Sequence, residues 1–461
     1  MGHGELFIVP FLGYNPQRFI QRTLNSVSVF RFLKYACGVL ILAALTACGS
    51  APAVATPSPT ATPHLPVTVV DAIRPSATPT PVSRAITLTL WLPTAFNAEP
   101  VRSLLHQQLD AFATSEDGVP IEVLIKSDHG PGGLYDLLKT ASPVAPSILP
   151  DLIALDAGEL EAAARLGLLQ PIGPLLPADF VGDFFPFARD LGTINGTLYG
   201  LIYAADLEHL AYNTKAVNAA PVSWDQILTD TLTYALALYD ADNFVSDSVW
   251  ANYTALGGTL MVNDQPALDQ AVLAQLLDLY QRAQRAAVLS PNVLRLDSGA
   301  DAWNTFFPTE ADLVNVRASL YMSIAQSFPT VQFAALPALD RPALPIGRGW
   351  AFALVARDAR HQAAAVKLLQ WLLTPDNAGA LTRAGRVLPG RAAALATWDQ
   401  TNPYIGFLNE QLTAAHAAPP ASLVNVIGPV LHQAIDDVLN GRATPDEAAL
   451  TAITTLGTKR P

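Results

Sequence analysis

One stretch, residues 194–215 (INGTLYGLIYAADLEHLAYNTK), constrains the fold more than any other part of the chain. It opens on Asn195-Gly196, a dipeptide suited to the tight turn of a β-hairpin. An apolar run follows at 198–203, interrupted by Gly200. Asp206, Glu208 and His209 then interrupt a strand-like segment that ends at Tyr212-Asn213. Polar groups in such a run fit the solvent face of an edge strand. They fit equally a strand that passes between two lobes and delivers them into a cleft.

The 461 residues exceed one ordinary core, and just over half are apolar with sparse charge, so more than one domain with a large core is expected. The net charge of −12 argues against a nucleic-acid partner. Arg31 and Lys34 precede a short apolar run at 35–45, which closes on Leu45-Thr46-Ala47-Cys48. A basic flank, a short apolar run and small residues read as a secretory signal over 1–47, too short to span a bilayer comfortably. Leu-Thr-Ala-Cys resembles a lipobox, which makes Cys48 the lipidated residue and the new N-terminus. The residues ahead of Arg31 are long for such a signal, so the true start is expected later, near Val27 or Val29. Cys37 lies within the signal, so no disulfide framework is available to the mature chain. Removing 1–47 leaves 23 Lys and Arg against 38 Asp and Glu, a net charge of −15. Residues 48–84 are rich in Pro, Thr, Ala and Ser without periodicity (ATPSPTATP, RPSATPTP) and read as a disordered tether.

Folding is expected to begin at Ile86. Strand patterns at 86–91 (ITLTLW), 119–125 and 151–155 (DLIAL) alternate with helical spacing at 99–113, 134–140 and 159–168, the last closing at Gly167. Such alternation predicts an α/β fold with a largely parallel sheet covered on both faces. Ligands of such sheets sit at the carboxyl ends of strands, which directs attention to Trp91, Thr94 and Asp156. Core packing for Trp91 and helix capping for Asp156 are equally available roles. Further on, Ser223 is a helix N-cap, 231–239 is helix or buried strand, and 267–289 is a long amphipathic helix. Residues 240–251 lack the Gly and Glu of a calcium loop and read as a solvated acidic loop.

The ordered set of motifs resembles extracellular solute-binding proteins of sugar-type ABC transporters, the class containing maltose-binding proteins. In that family a pattern "dGk-YG-P-…-l-YNk" marks the first passage between two lobes. Asn195, Gly196, Tyr199, Gly200, Tyr212, Asn213 and Lys215 match it, with the usual Pro replaced at Ile202 or Tyr203. Similar motifs follow at 150–172, at Ser223-Trp224-Asp225, at Gly257-Gly258, at 331–337, at Gly347-Arg348-Gly349-Trp350, at 387–391 and at 438–450. The family's Gly before the returning element is absent, and Glu310-Ala311-Asp312 stands there. Residues 320–324 are expected as the strand that returns to the first lobe.

The resemblance implies a two-lobe periplasmic binding protein fold of type II. Lobe 1 would be 85–204 and 321–365, and lobe 2 would be 205–320 and 366–461. It implies a monomer, exported and lipid-anchored on the outer face of the cytoplasmic membrane. Such a protein captures a solute, expected to be a carbohydrate, by hinge closure and delivers it to ABC permease subunits. Trp91, Tyr203, Trp250, Tyr253, Trp303 and Trp350 are stacking candidates. Asp156, Asp206, Glu208, Asn263, Gln326, Arg348 and Arg386 are hydrogen-bonding candidates. No Gly-x-Ser-x-Gly elbow, Walker loop, His-x-x-x-His or Cys cluster occurs, so neither catalysis nor a metal or cofactor is expected. Gly130-Pro131-Gly132-Gly133 could cradle an anion, but a flexible turn explains it as well. A surface glycosidase, a scaffold lipoprotein, or a polyamine or oligopeptide ligand remain open alternatives on sequence alone.

Overall fold

The computed structural model describes residues 86–458, apart from 241–243, 264 and 291. The signal segment, Cys48 and the tether lie outside the described residues. β1 (Leu88–Pro93), β2 (Ile121–Lys126) and β3 (Leu152–Asp156) run parallel in the order β2-β1-β3. They alternate with α1 (Val101–Ala113), α2 (Leu134–Ala141) and α3 (Ala157–Arg165), as the periodicity predicts. In α1 the buried residues Val101, Leu105, Leu109 and Phe112 recur every three or four positions, which is what lets one helical face cover the sheet. The chain leaves α3 through Gly167, whose φ of +68° is the left-handed conformation that glycine adopts at little cost.

After α4 (Pro186–Gly192), the hairpin of β4 (Thr193–Ile194) and β5 (Thr197–Leu198) turns on Asn195 and Gly196. Their φ values are +51° and +76°, and a two-residue turn of this kind needs positive φ at both positions. β6 (Gly200–Asn213) comes next. Then follow α5 (Trp224–Asp230), β7 (Tyr234–Ala235), α6 (Asp247–Ala255), the β8 (Met261–Val262) and β9 (Gln265–Pro266) hairpin, and α7 (Gln270–Arg285). α8 (Gly299–Phe306), β10 (Leu313–Arg317), α9 (Ala318–Ile324), β11 (Val331–Ala334) and β12 (Ile346–Leu354) lead back. The chain ends with α10 (Ala359–Leu372), α11 (Pro375–Gly385), β13 (Leu388–Pro389), α12 (Ala392–Leu395), α13 (Pro403–Ala414), β14 (His416–Ala417), α14 (Ala421–Leu439) and α15 (Pro445–Thr458).

β6 belongs to two sheets at once. Its first half, through Leu207, lies antiparallel to β12, which in turn pairs with β3. Its second half, from Glu208, lies antiparallel to β10 and β11, and β10 pairs with β7. Two apolar clusters flank this strand. The first gathers residues 88–207 and 350–415, with the faces of α8, β10 and α9. The second gathers 210–293, 336–346 and 423–456. The main chain therefore passes between them repeatedly: along β6, at 293–296, at 331–336, at 346–350 and at 415–423. Residues 366–415, expected in the second lobe, pack their apolar side chains into the first cluster.

Residues 320–324 are not a strand. The strand is β10, formed by LVNVR, and 318–324 form the helix α9. β-Branched Val314 and Val316 suit a buried strand. Ser319 begins the helix with its backbone N–H bound by a carboxylate of β6, which favours a helix start there over an extended segment.

Gly200 marks a close approach of β6 to its neighbours. An added Cβ would lie 2.7 Å from Leu160 Cδ2 and 2.9 Å from Ala351 Cβ. Gly200→Val is expected to cost about 1–3 kcal/mol through overpacking, read as a lower urea midpoint with an unchanged m-value.

Candidate functional site

Where β6 passes from one sheet to the other it carries two buried carboxylates. Asp206 is fully buried. Its Oδ1 accepts from the N–H of Leu207 (2.9 Å) and of Ser319 (3.2 Å), and its Oδ2 from the Ser319 hydroxyl (2.5 Å). Glu208 Oε2 accepts from the N–H (3.0 Å) and hydroxyl (2.7 Å) of Ser248 and from Asn315 Nδ2 (3.3 Å). Ser319 and Ser248 stand in the first turns of α9 and α6, where a negative charge is favoured.

Beside them sits a buried ion cluster. Asp247, with no exposed surface, accepts a forked pair of bonds from Arg348 of β12, Nε to Oδ2 at 2.8 Å and Nη2 to Oδ1 at 2.6 Å. Arg317 of β10 approaches the same carboxylate at 3.2 Å and Asp240 at 3.4 Å. Burial pushes the carboxyls of Asp206 and Glu208 up, with the Arg317 charge opposing the rise. Burial also works against ionised Asp247, but Arg348 and Arg317 outweigh it and hold that carboxyl below its usual range. The arrangement ties β6, β10 and β12 to the start of α6. It is a brace across the strand that both sheets share.

His209 is the third polar group of this stretch and is fully buried. Its Nδ1 lies 3.0 Å from the Leu210 carbonyl, so it carries the proton and donates. Nε2 then accepts from the Tyr404 hydroxyl at 2.8 Å. Tyr321, Tyr404 and Phe407 surround the ring, and burial lowers its pKa to about 4.

A second polar group forms a wall at the carboxyl ends of β1, β2 and β3. Lys126 Nζ lies 5.3 Å from the Trp91 ring. Asp128 Oδ1 accepts from Thr94 N–H (2.7 Å) and hydroxyl (2.8 Å). His129 Nδ1 lies 3.0 Å from Glu159 and 3.3 Å from Asp156, and its ring packs 5.4 Å from that of Trp350. Asp156 caps α3, its Oδ1 accepting from Glu159 N–H at 2.8 Å. Burial disfavours the His129 imidazolium, yet the Glu159 hydrogen bond and the Asp156, Glu159 and Asp128 charges overcome it and raise its pKa to about 9. The His129 side chain is 42% exposed and that of Asp156 30%, so this wall meets solvent.

The structure brings together Trp91, Asp156 and Trp350 at this wall, and Asp206, Glu208 and Arg348 at the brace. Both oxygens of Asp206, Glu208 Oε2, and Arg348 Nε and Nη2 are engaged by protein partners, which makes these groups position the strand. Trp250 and Tyr253 have no exposed surface and belong to the second core, and Tyr203 stacks on Phe352 at 4.2 Å within the first. None of the three offers a ring face to a ligand in this conformation, and Trp91 and Trp350, 3% and 2% exposed, are buried likewise. Trp303 is buried against Phe307 and Phe328. Gln326, Asn263 and Arg386 lie exposed, with Arg386 in the left-handed turn that ends α11. The sequence reading missed His129, Glu159, Asp247 and Arg317. The first two stand just beyond the ends of β2 and β3, the positions where ligands of α/β sheets collect.

Residues 108–404 match the model of the bacterial extracellular solute-binding protein family. The chain belongs to that family. Over 147 residues this solute-binding protein is 29% identical to a maltotriose-binding protein of Pyrococcus abyssi, a match spanning 30% of this chain and 31% of that relative. Its fold resembles the cyclic α-maltosyl-1,6-maltose binding protein of Arthrobacter globiformis, with TM-score 0.69, 18% identity, and coverage of 81% of this chain and 98% of that one. The sugar-binding protein of Xanthomonas citri is similar, at TM-score 0.65 and 18% identity over 81% and 98% of the two chains. The two-lobe α/β fold expected from the sequence is thus the observed one.

Two outcomes follow from the brace and from His209. Asp247→Asn leaves two guanidinium groups facing a neutral amide, and equilibrium unfolding should register a loss of about 3–5 kcal/mol. His209 is neutral in the folded chain but protonates near pH 6.5 when unfolded. Its stabilising contribution is therefore complete above pH 6.5 and declines as the pH falls toward about 4, by roughly 3 kcal/mol. Stability measured across that window should flatten in His209→Phe relative to the parent.

Proposed function

We propose that this protein captures a saccharide of the maltodextrin class and hands it to an ABC permease. The observation that carries the reading is the half-exposed polar wall at the carboxyl ends of β1–β3, adjoining the strand that two sheets share. Open α/β sheets bind ligands at that end. A sugar needs planar polar groups that take paired hydroxyls, and an apolar ring face to lie on. Lys126, Asp128, His129 and Asp156 supply the first, with Trp91 and Trp350 buried behind them. Family membership and the partial match to a maltotriose-binding relative support the same class of ligand.

The groups that act here bind and do not turn the solute over. Closure would move the second apolar body toward the wall, with β6 and the other segments that link the two bodies as hinges. The brace fixes the register of those passages, so the motion is a rotation about few residues rather than a loosening of the sheet. Export with a lipid anchor at Cys48 would hold the protein beside its permease, and the tether at 49–84 would give it reach.

Calorimetric titration of the full chain in mild detergent with maltose, maltotriose and maltotetraose tests this. Micromolar binding of at least one of them is expected, and Lys126→Ala should weaken it about tenfold at unchanged melting temperature. Absence of heat or thermal shift with all three sugars would sink the saccharide assignment.

A further inference from the structure

The wall holds one cluster whose chemistry exceeds what a sugar requires. His129 Nδ1, a carboxylate oxygen of Asp156 and one of Glu159 all lie within 4.8 Å of one another. The two measured separations from the imidazole nitrogen, 3.0 and 3.3 Å, are close to the edge of a tetrahedron built on metal–ligand bonds of about 2.0–2.1 Å, which is about 3.3 Å. We propose that His129, Asp156 and Glu159 form a three-ligand site for a divalent transition-metal ion of the zinc type.

The second oxygen of Glu159, Oε2, is buried and has no hydrogen-bond partner. A buried carboxylate oxygen without a donor is costly, and a cation held by both oxygens of Glu159 would remove that cost. The ligands are also fixed before any ion arrives. Asp156 ends β3 with its Oδ1 bound by Glu159 N–H, which leaves Oδ2 turned to the centre. Glu159 lies in the first turn of α3. His129 sits in a turn closed by Gly133 N–H to Gly130 C=O (2.9 Å) and Leu134 N–H to Ser127 C=O (3.0 Å), with the Trp350 ring behind it. The amino end of α3 opposes a cation by about 0.3–1 kcal/mol, small beside the several kcal/mol that three ligands supply to zinc. Three protein ligands leave a fourth position open toward solvent, where a hydroxyl or carboxylate of a bound molecule could coordinate. An imidazolium bridging the two acids is the competing use of the cluster, and it leaves Glu159 Oε2 unmatched.

The proposal does not depend on the saccharide reading, and the test keeps them apart. The full chain in mild detergent, stripped by a chelator, is titrated with zinc against a chromogenic competitor, and separately with cobalt while tetrahedral d–d absorption is followed. One equivalent per chain is expected. His129→Gln and Glu159→Gln should each weaken zinc at least tenfold and abolish the cobalt band, while His106→Gln, exposed on α1, changes neither. Circular dichroism of each variant verifies its fold. No zinc uptake by folded parent protein up to about 0.1 mM, or uptake that survives both substitutions, overturns the site. A maltodextrin titration of the same variants without metal reports on sugar binding alone. Variants that lose sugar affinity when the parent binds no zinc also overturn it, because the cluster then serves the saccharide directly.

Discussion

The contact on which the rest depends is the forked pairing of Arg348 with Asp247, made where no water reaches the carboxylate. Two charges taken out of water at such a place are stabilising only when geometry and further partners are good, and here Arg317 supplies the further partner. The pairing joins a strand of one sheet to the first residue of a helix in the second core. Asp206 and Glu208 repeat the same idea from β6, each holding the opening turn of a helix through a serine. Asp206 and Glu208 thus set where α9 and α6 meet β6, and Asp247 ties α6 to β12. A hydrophobic contact is non-directional and could not fix that register.

Local chemistry in the sequence was legible wherever one residue type decides a conformation. Asn195-Gly196 turned as its dihedral preferences require, Ser223 and Asp156 capped the helices that follow them, and Gly167 ended α3. The crossing strand was legible too, because Asp206, Glu208 and His209 interrupt an otherwise apolar run. Their role was not. From spacing alone a polar residue in a strand faces either solvent or a ligand. Here it faces the serines of helices that start 40 and 113 residues further on. The 320–324 segment failed for a related reason: its apolar residues fit a strand as well as a helix, and a capping carboxylate distant in sequence decided between them.

The aromatic candidates failed in a different way. Trp91, Tyr203, Trp250, Tyr253, Trp303 and Trp350 were chosen for ring faces, and the cores took them, since large aromatic side chains bury the most apolar area per residue. The group that does face solvent includes His129, which stands 27 residues before Asp156 and 30 before Glu159. No spacing motif joins residues so far apart. Only the parallel order of β2, β1 and β3 brings the end of β2 near the end of β3.

The repeated passage of the chain between its two apolar bodies bears on how such a protein is made. Each body is assembled from segments that lie far apart along the sequence, and the second is incomplete until residues 423–456 arrive. The first body waits for residues 350–415 and the second for the last two helices, so a growing chain can finish neither half early. Late closure of this kind favours an exported polypeptide, which must stay threadable until translocation ends. It also means that neither half can be cut out as a continuous fragment for separate study.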